Sequence, residues 1–397
     1  MTTLVLQSLW PLLLVITPGQ AWLRTADAEV HAEPNAKSPI VGELRHGDRV
    51  MVSSCSPSCE AEDGWALLGS DGAVLSALLQ STPTGDAPMP DGGYSYGKVI
   101  GGRSDVYEEM NERSRLLRRV DDRDAIALVP NDAAADAGWS ETFDKGYVRT
   151  ARLRLLIASP FSGEHNPQVP LAFFVRDTHV EAPDGSGQDV ARFDRMPVLG
   201  LAANKRVSVE GGTIPRSAVR MAFARPRPQG VGPSERWVHV DLREQVLTAY
   251  EGDQLVFATL VSTGRSGFQT SRGLFRVWRK VSHDLMHSEK ENYRVEEVPW
   301  TLYFRGPQAL HGAFWHDHFG SPVSHGCVNL SMADAAWLFS WAPPPLPDGW
   351  HAIVRPLLGE DTLWVKVERA ALGTFPSRPP VAEPPSTKEA DQSSQLR

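Results

Sequence analysis

The chain has 397 residues, 41% of them hydrophobic and 22% charged, which is enough apolar surface to bury several cores and build two to four domains. A net charge of -8, with no run of lysines and arginines, argues against a nucleic-acid partner or an anionic membrane patch.

In chain order, Leu4 to Ile16 is almost free of polar residues, and Gly19-Gln20-Ala21 follows with small residues suited to cleavage. We read residues 1–21 as an export signal whose only positive charge is the Met1 amine. The run is too short for a comfortable membrane span, so no transmembrane segment is expected after signal cleavage, in a periplasm or cell wall. Cys55 and Cys59 bracket Ser56-Pro57-Ser58, a turn-forming spacer that can close a small disulfide loop in an oxidising compartment. Two separate thiols or half a metal site are the alternatives, the latter without a second cysteine pair to complete it.

The sequence then repeats itself. Val30, Asn35, Ser38, Leu44, Asp48 and Val50 recur at one constant offset as Val106, Asn111, Ser114, Val120, Asp124 and Ile126. Gly64-Trp65 recurs as Gly138-Trp139, and a shorter copy runs from His179-Val180 to Ile214 and Val219. Such self-similarity implies duplicated supersecondary units made of short strands between glycine, proline and acidic turns. Tyr107 to Arg119 has local helix propensity that this alignment must override. Ser81 to Gly93 and Ala224 to Pro233 read as linkers, and the proline-rich tail of residues 373–397 as disordered.

Farther on, Trp237 to Leu242 and Gln245 to Tyr250 alternate apolar and polar residues about Arg243-Glu244, as a hairpin does. Leu255 to Ser262, Leu274 to Lys280 and Leu363 to Val367 extend the sheet. Ser331 with Asp334 forms a helix cap before Ala335 to Phe339, and Pro343-Pro344-Pro345 must end that helix. The expected fold is mainly β, sandwich-like, with one short helix and Cys327 on the loop before it.

The chemistry concentrates in Ser324-His325-Gly326-Cys327, preceded by His311-Gly312. A thiol is mostly protonated near neutral pH, so a nucleophilic cysteine needs a base or a positive environment, and His311 or His325 can supply it. An inert buried cysteine is the bland reading. Metal binding by His311, His316, His318, His325 and Cys327 is another, but the spacing fits no common zinc pattern, and neither metal nor cofactor is expected.

With Leu310 to Trp315 and Phe319 to Leu330 around it, this motif closely resembles the active-site signature of the L,D-transpeptidase catalytic domain, also called YkuD-like. The resemblance continues through Trp237 to Leu242, Val261 to Arg265 and Thr270 to Phe275, covering about residues 235–368. It implies Cys327 as nucleophile, His311 as base within hydrogen-bond reach, and the Gly312 carbonyl orienting the imidazole. It also implies an oxyanion hole from the N–H groups of His325, Gly326 and Cys327. Ser324 and His325 would shape the turn. Asn329 stands where many relatives carry arginine, which bears on how a substrate carboxylate is anchored, and Ser271 where many carry proline. Residues 281–303, with Tyr293, Trp300 and Tyr303, form either a lid over the donor or ordinary packed strands; Tyr303, Trp300, Ser324 and Asn329 are the expected substrate contacts. The N-terminal copies, residues 22–81, 94–156 and, more faintly, 170–222, look like bacterial SH3-like small barrels, whose Trp65 and Trp139 either bind cell wall or pack a core.

The implied activity is exported peptidoglycan L,D-transpeptidation: a stem peptide acylates Cys327 and passes to an amine. A carboxypeptidase or endopeptidase of the same fold, or a catalytically silent wall-binding protein, are the alternatives.

Overall fold

Short strands of alternating polarity dominate the chain and build a mainly β protein in the computed structural model, which describes residues 16–373 and 375 apart from 62, 84–92, 290 and 355–360. Residues 1–15 of the expected leader, most of the 81–93 connector and nearly all of the tail lie outside the described residues. The described residues divide into two compact units, one holding those up to Asn166 with those of Pro226–Ala370, the other Pro167–Arg225 with those from Ala371 onward.

In the first unit the repeat appears as two hairpins of one design. Asp27–His31 pairs antiparallel with Ile40–Arg45, and Arg103–Tyr107 pairs with Leu116–Asp121; each register slips at the equivalent place, after Val30 and after Val106. The recurring polar residues hold the turns: Asn35 Oδ1 accepts the Lys37 N–H and Asn111 Oδ1 the Arg113 N–H, both at 2.9 Å. Asp48 and Asp124 likewise accept the N–H three residues back, at 2.7 and 2.9 Å. Helix propensity in 107–119 is thus overridden, because a strand buries Val106 and Val120 beside Val99, Ile126, Leu128 and Val148.

Trp65 and Trp139 are both buried. Trp65 packs against the edge of His31 at 5.2 Å, while Trp139 meets Tyr107 at 6.0 Å beneath the Arg149 guanidinium, 4.1 Å above its ring. Their structural role is packing. Cys55 and Cys59 form a disulfide, and Cys327 is free. The strand Gly19–Leu23 pairs with Arg49–Val52, and Ile16, Ala21 and Leu23 enter the core of the first repeat.

The C-terminal part of this unit is a sandwich. One sheet runs in the order Glu164–His165, Gln254–Leu260, Val246–Glu251, Arg236–Asp241, Trp364–Glu368, Gly273–Arg276. The facing sheet contains the long hairpin Arg279–Ser288 and Tyr293–Arg305, then Gln308–Gly312 and Val328–Leu330. Between them, Val238, Val240, Leu247 and Phe257 meet Leu302, Phe304, Leu310, Val328 and Leu330, each worth about 1.5–3 kcal/mol on full burial. The helix Met332–Trp341 closes one end; Ser331 Oγ accepts the Asp334 N–H at 3.2 Å, and Ala342 caps the end just before the prolines. Strand pairing joins repeats to sandwich directly, through Gly42 with Ile353, Glu43 with Ala352 and Ala125 with Val295.

The second unit is built around a seven-stranded sheet whose core includes Phe174, Val180, Val198, Val207, Ile214 and Met221. From the segment read as a disordered tail, Phe375 packs edge-on to Phe223 at 5.5 Å.

Candidate functional site

Two short strands bring the motif together. Gln308–Gly312 and Val328–Leu330 pair in parallel, with Leu310 opposite Val328 and His311 opposite Asn329, so the intervening loop delivers Cys327 to the start of the second strand. Within that loop, Ser324 Oγ accepts the Gly326 N–H at 3.1 Å and donates to the Cys327 carbonyl at 2.6 Å, stapling the turn across four residues. Gly326 sits at φ 121°, and a side chain there would start 2.9 Å from Gln308 Nε2.

Cys327 keeps some solvent contact, but the protein crowding its sulfur pushes the thiol up to about 11, a rise the Ala309 N–H opposes. In this conformation the thiol donates to the Pro307 carbonyl at 3.7 Å, and a hydrogen bond to His311 is not formed. Such contacts are often long before substrate binds.

His311 is buried and held down to about 4 by desolvation, so its ring is neutral. Its Nδ1 donates to the Gly312 carbonyl at 2.9 Å, and because a carbonyl can only accept, the proton lies on Nδ1 and the lone pair on Nε2. His325 is arranged in the opposite sense. Arg265 Nη2 donates to its Nε2 at 3.0 Å, Tyr293 stacks on the ring at 4.8 Å, and Phe268 meets it edge-on at 5.0 Å. Burial and the Arg265 charge lower its basicity. The ring nitrogen His325 would use as a base is therefore already engaged.

Asn329 belongs to a second polar chain. The His318 N–H donates to His316 Nδ1 at 3.1 Å, and burial keeps His316 neutral, near 4, so its one proton is on Nε2. The Asn329 carboxamide lies 2.8 Å from that nitrogen and must accept, which sets its oxygen toward His316. The other polar atom of the carboxamide is then the NH2, at a buried position where an oxygen receives no hydrogen bond. Among the described residues, no group of three or more His, Cys, Asp or Glu side chains is arranged to hold a metal ion.

The remaining expected contacts separate. Tyr303 donates to Asp284 Oδ2 at 2.9 Å and lies close enough to Cys327 for the two to interact electrostatically. Trp300, at φ 55°, lines a cavity of about 450 Å³ with Tyr96, Leu156, Phe314 and Met332; that lining includes none of His311, His325 and Cys327. Residues 281–303 lie in the two long strands of a hairpin and its turn: the tip sets Tyr293 on His325, while Leu302 and Tyr303 pair with Leu310 and Ala309 on the strand that carries His311. Arg265, Glu291 and Gln308 were not placed here by the sequence reading. Arg265 stands in the Val261 to Arg265 segment that carried the wider resemblance, and Glu291 in the 281–303 segment offered as a lid, so a signal for each existed; Gln308 had none.

Residues 235–367 match the L,D-transpeptidase catalytic domain. This agrees with the resemblance of the motif and with the β-sandwich. No curated protein matches the chain at a significant level. Among solved structures, the chain is similar to an L,D-transpeptidase from Stackebrandtia nassauensis, at 24% identity over 37% of this chain and 60% of that one, with a TM-score of 0.27. It is similar to residues 123–326 of an L,D-transpeptidase from Xylanimonas cellulosilytica, at 27% identity over 36% and 64%, with a TM-score of 0.27. A Mycobacterium smegmatis L,D-transpeptidase is 17% identical over 54% of this chain and 89% of that one, with a TM-score of 0.28. The chain thus spans about 60% of the length of the first of these.

Proposed function

We propose that the protein is an exported peptidoglycan L,D-transpeptidase in which Cys327 is the nucleophile and His311 the base. The observation that carries this reading is the tautomer of His311: Gly312 holds its Nδ1–H, leaving Nε2 with the lone pair on the strand paired to the one Cys327 begins. His311 Nε2 takes the thiol proton as sulfur attacks the carbonyl after the third residue of a donor stem peptide. The tetrahedral oxyanion collapses, the C–N bond breaks, and the imidazolium returns its proton to the departing amine of the terminal D-residue, leaving a thioester. An acceptor amine then attacks the thioester, restoring the thiol. The Gly326 N–H is engaged by Ser324, so in this conformation the oxyanion falls to the N–H groups of His325 and Cys327.

The order of proton affinities, thiol near 11 and imidazole near 4, favours proton transfer during attack over a preformed thiolate–imidazolium pair. The Cys55–Cys59 disulfide supports an oxidising compartment. Among the described residues no helix is long and apolar enough to cross a membrane. We read the duplicated hairpins as SH3-like modules; any wall contact they make must use residues other than the buried Trp65 and Trp139.

The test is to incubate the purified chain with tetrapeptide muropeptides, with and without an acceptor amine. Cross-linked or amine-exchanged product from the wild type, and none from Cys327→Ala, is expected; hydrolysis alone with acceptor present overturns the transferase reading.

A further inference from the structure

The long hairpin carries two adjacent carboxylates, Glu296 and Glu297, both buried. A buried carboxylate persists only with partners. Those partners come chiefly from the N-terminal repeats. Arg45, ending the hairpin of the first repeat, donates to both oxygens of Glu297 at 3.0 and 3.2 Å. Arg118, in the second repeat, pairs with Glu296 at 2.8 Å, and the Ala127 N–H donates to the same carboxylate at 3.2 Å; Arg294 adds a contact at 3.1 Å from within the hairpin. Glu297 takes φ 48°, a conformation that a non-glycine residue keeps only where its surroundings hold it.

The tip beyond these anchors touches the second repeat again, through Asn292 to Asp121 at 3.2 Å and Arg123 to the Glu291 carbonyl at 3.4 Å. The same tip lays Tyr293 on His325 and sets Glu291 3.3 Å from Arg265, the residue that holds the His325 ring. One continuous set of contacts therefore runs from the repeats, through the hairpin, to the residue two before the thiol.

We propose that Arg45 and Arg118 are positioning residues: by clamping Glu297 and Glu296 they hold the hairpin tip over His325 and Cys327, so that the N-terminal repeats set access to the thiol. The proposal rests on Cys327 as the working nucleophile and adds to it a control of entry.

The experiment uses the full chain and compares wild type with Arg45→Gln and Arg118→Gln. It reads iodoacetamide alkylation of Cys327 at fixed pH, amide hydrogen exchange over residues 289–297, and thermal unfolding. Alkylation and local exchange are expected to rise by about tenfold or more in each variant, with exchange in the sandwich core unchanged. Should Arg118→Gln fail to fold, Glu296→Gln keeps an acceptor for Ala127 and leaves Arg118 its second partner, Asp144 at 2.8 Å; the same changes, smaller in size, are expected. Folded variants with wild-type alkylation and exchange overturn the clamp. Alkylation reads access whether or not the enzyme turns over, so a wild type inactive on muropeptides would count against the proposed reaction and not against the clamp.

Discussion

His311 and Asn329 stand opposite each other across a parallel strand pair, so the imidazole and the carboxamide rise from one face of the sheet, with Cys327 two residues before Asn329. Both histidines that serve this face, His311 and His316, are neutral, and each has its proton placed by a backbone group: the Gly312 carbonyl for one, the His318 N–H for the other. This face is polar yet uncharged at rest, and the Arg265–Glu291 pair lies beside it at His325.

This gives a spectroscopic expectation. In ¹⁵N spectra His316 should show a protonated Nε2 and a bare Nδ1 from about pH 5.5 to 8, since burial holds its titration near 4. Asn329→Asp, by placing an anion beside it, should raise that titration. A protonated Nδ1 in the wild type would reverse the carboxamide and remove the buried NH2 from the site.

The thiol supplies a second. With Cys327 pushed up to about 11 and His311 held near 4, alkylation by iodoacetamide should keep climbing through about pH 9 without levelling. His311→Ala should slow acylation by a carbapenem, a donor mimic in related enzymes, by about two to four orders of magnitude, and Cys327→Ala should abolish it. A rate plateau near pH 7 would mean a preformed ion pair instead.

Gly326 is testable through its backbone. At φ 121°, with a Cβ destined for 2.9 Å from Gln308 Nε2, Gly326→Ala is expected to fold but to distort the turn at a cost of about 1–3 kcal/mol, lowering acylation by about tenfold or more. Gln308 also links the Ser271 N–H and the Gln269 carbonyl, so those loops should shift with it. Unchanged acylation would show that the turn tolerates a side chain.

Asp48 predicts a dependence of stability on pH. Burial raises its carboxyl to about 7 against the Arg45 N–H and charge, so folding takes up a proton between about pH 4 and 7. Its contribution is most favourable below about pH 4 and is lost as pH rises toward 7. Asp48→Asn keeps an acceptor for Arg45 and should therefore melt a few degrees higher at pH 8, with the gap closing below about pH 4. A variant destabilised equally at both ends would refute this account.

The mature N-terminus is a fifth test. Cleavage after Ala21 would remove Ile16 and Ala21 from the first core and three residues of the strand paired with Arg49–Val52. If the chain is exported and cleaved as proposed, mass spectrometry should find the first residue no later than Ile16; a chain beginning at Trp22 would contradict the structural role of that strand.

Much of this was legible in the sequence because it is local. Four consecutive residues set the turn at Cys327, with Ser324 bonding to its own loop and Gly326 taking a backbone angle other residues avoid, and the repeats were visible because Asn35, Asp48 and their copies each bond within three residues. Sequence likewise determined the capped helix and the sandwich strands. That Arg265 holds the His325 ring is visible only in three dimensions, since the two lie 60 residues apart. That Trp300 lines a cavity with Tyr96, Phe314 and Met332 is likewise visible only once distant segments have packed. Nor does any local pattern announce that Glu297 and Glu296 meet Arg45 and Arg118, 252 and 178 residues away. Turn and strand preferences act over a few neighbouring residues, whereas a buried charge finds its partner only once distant segments have packed and excluded water from both.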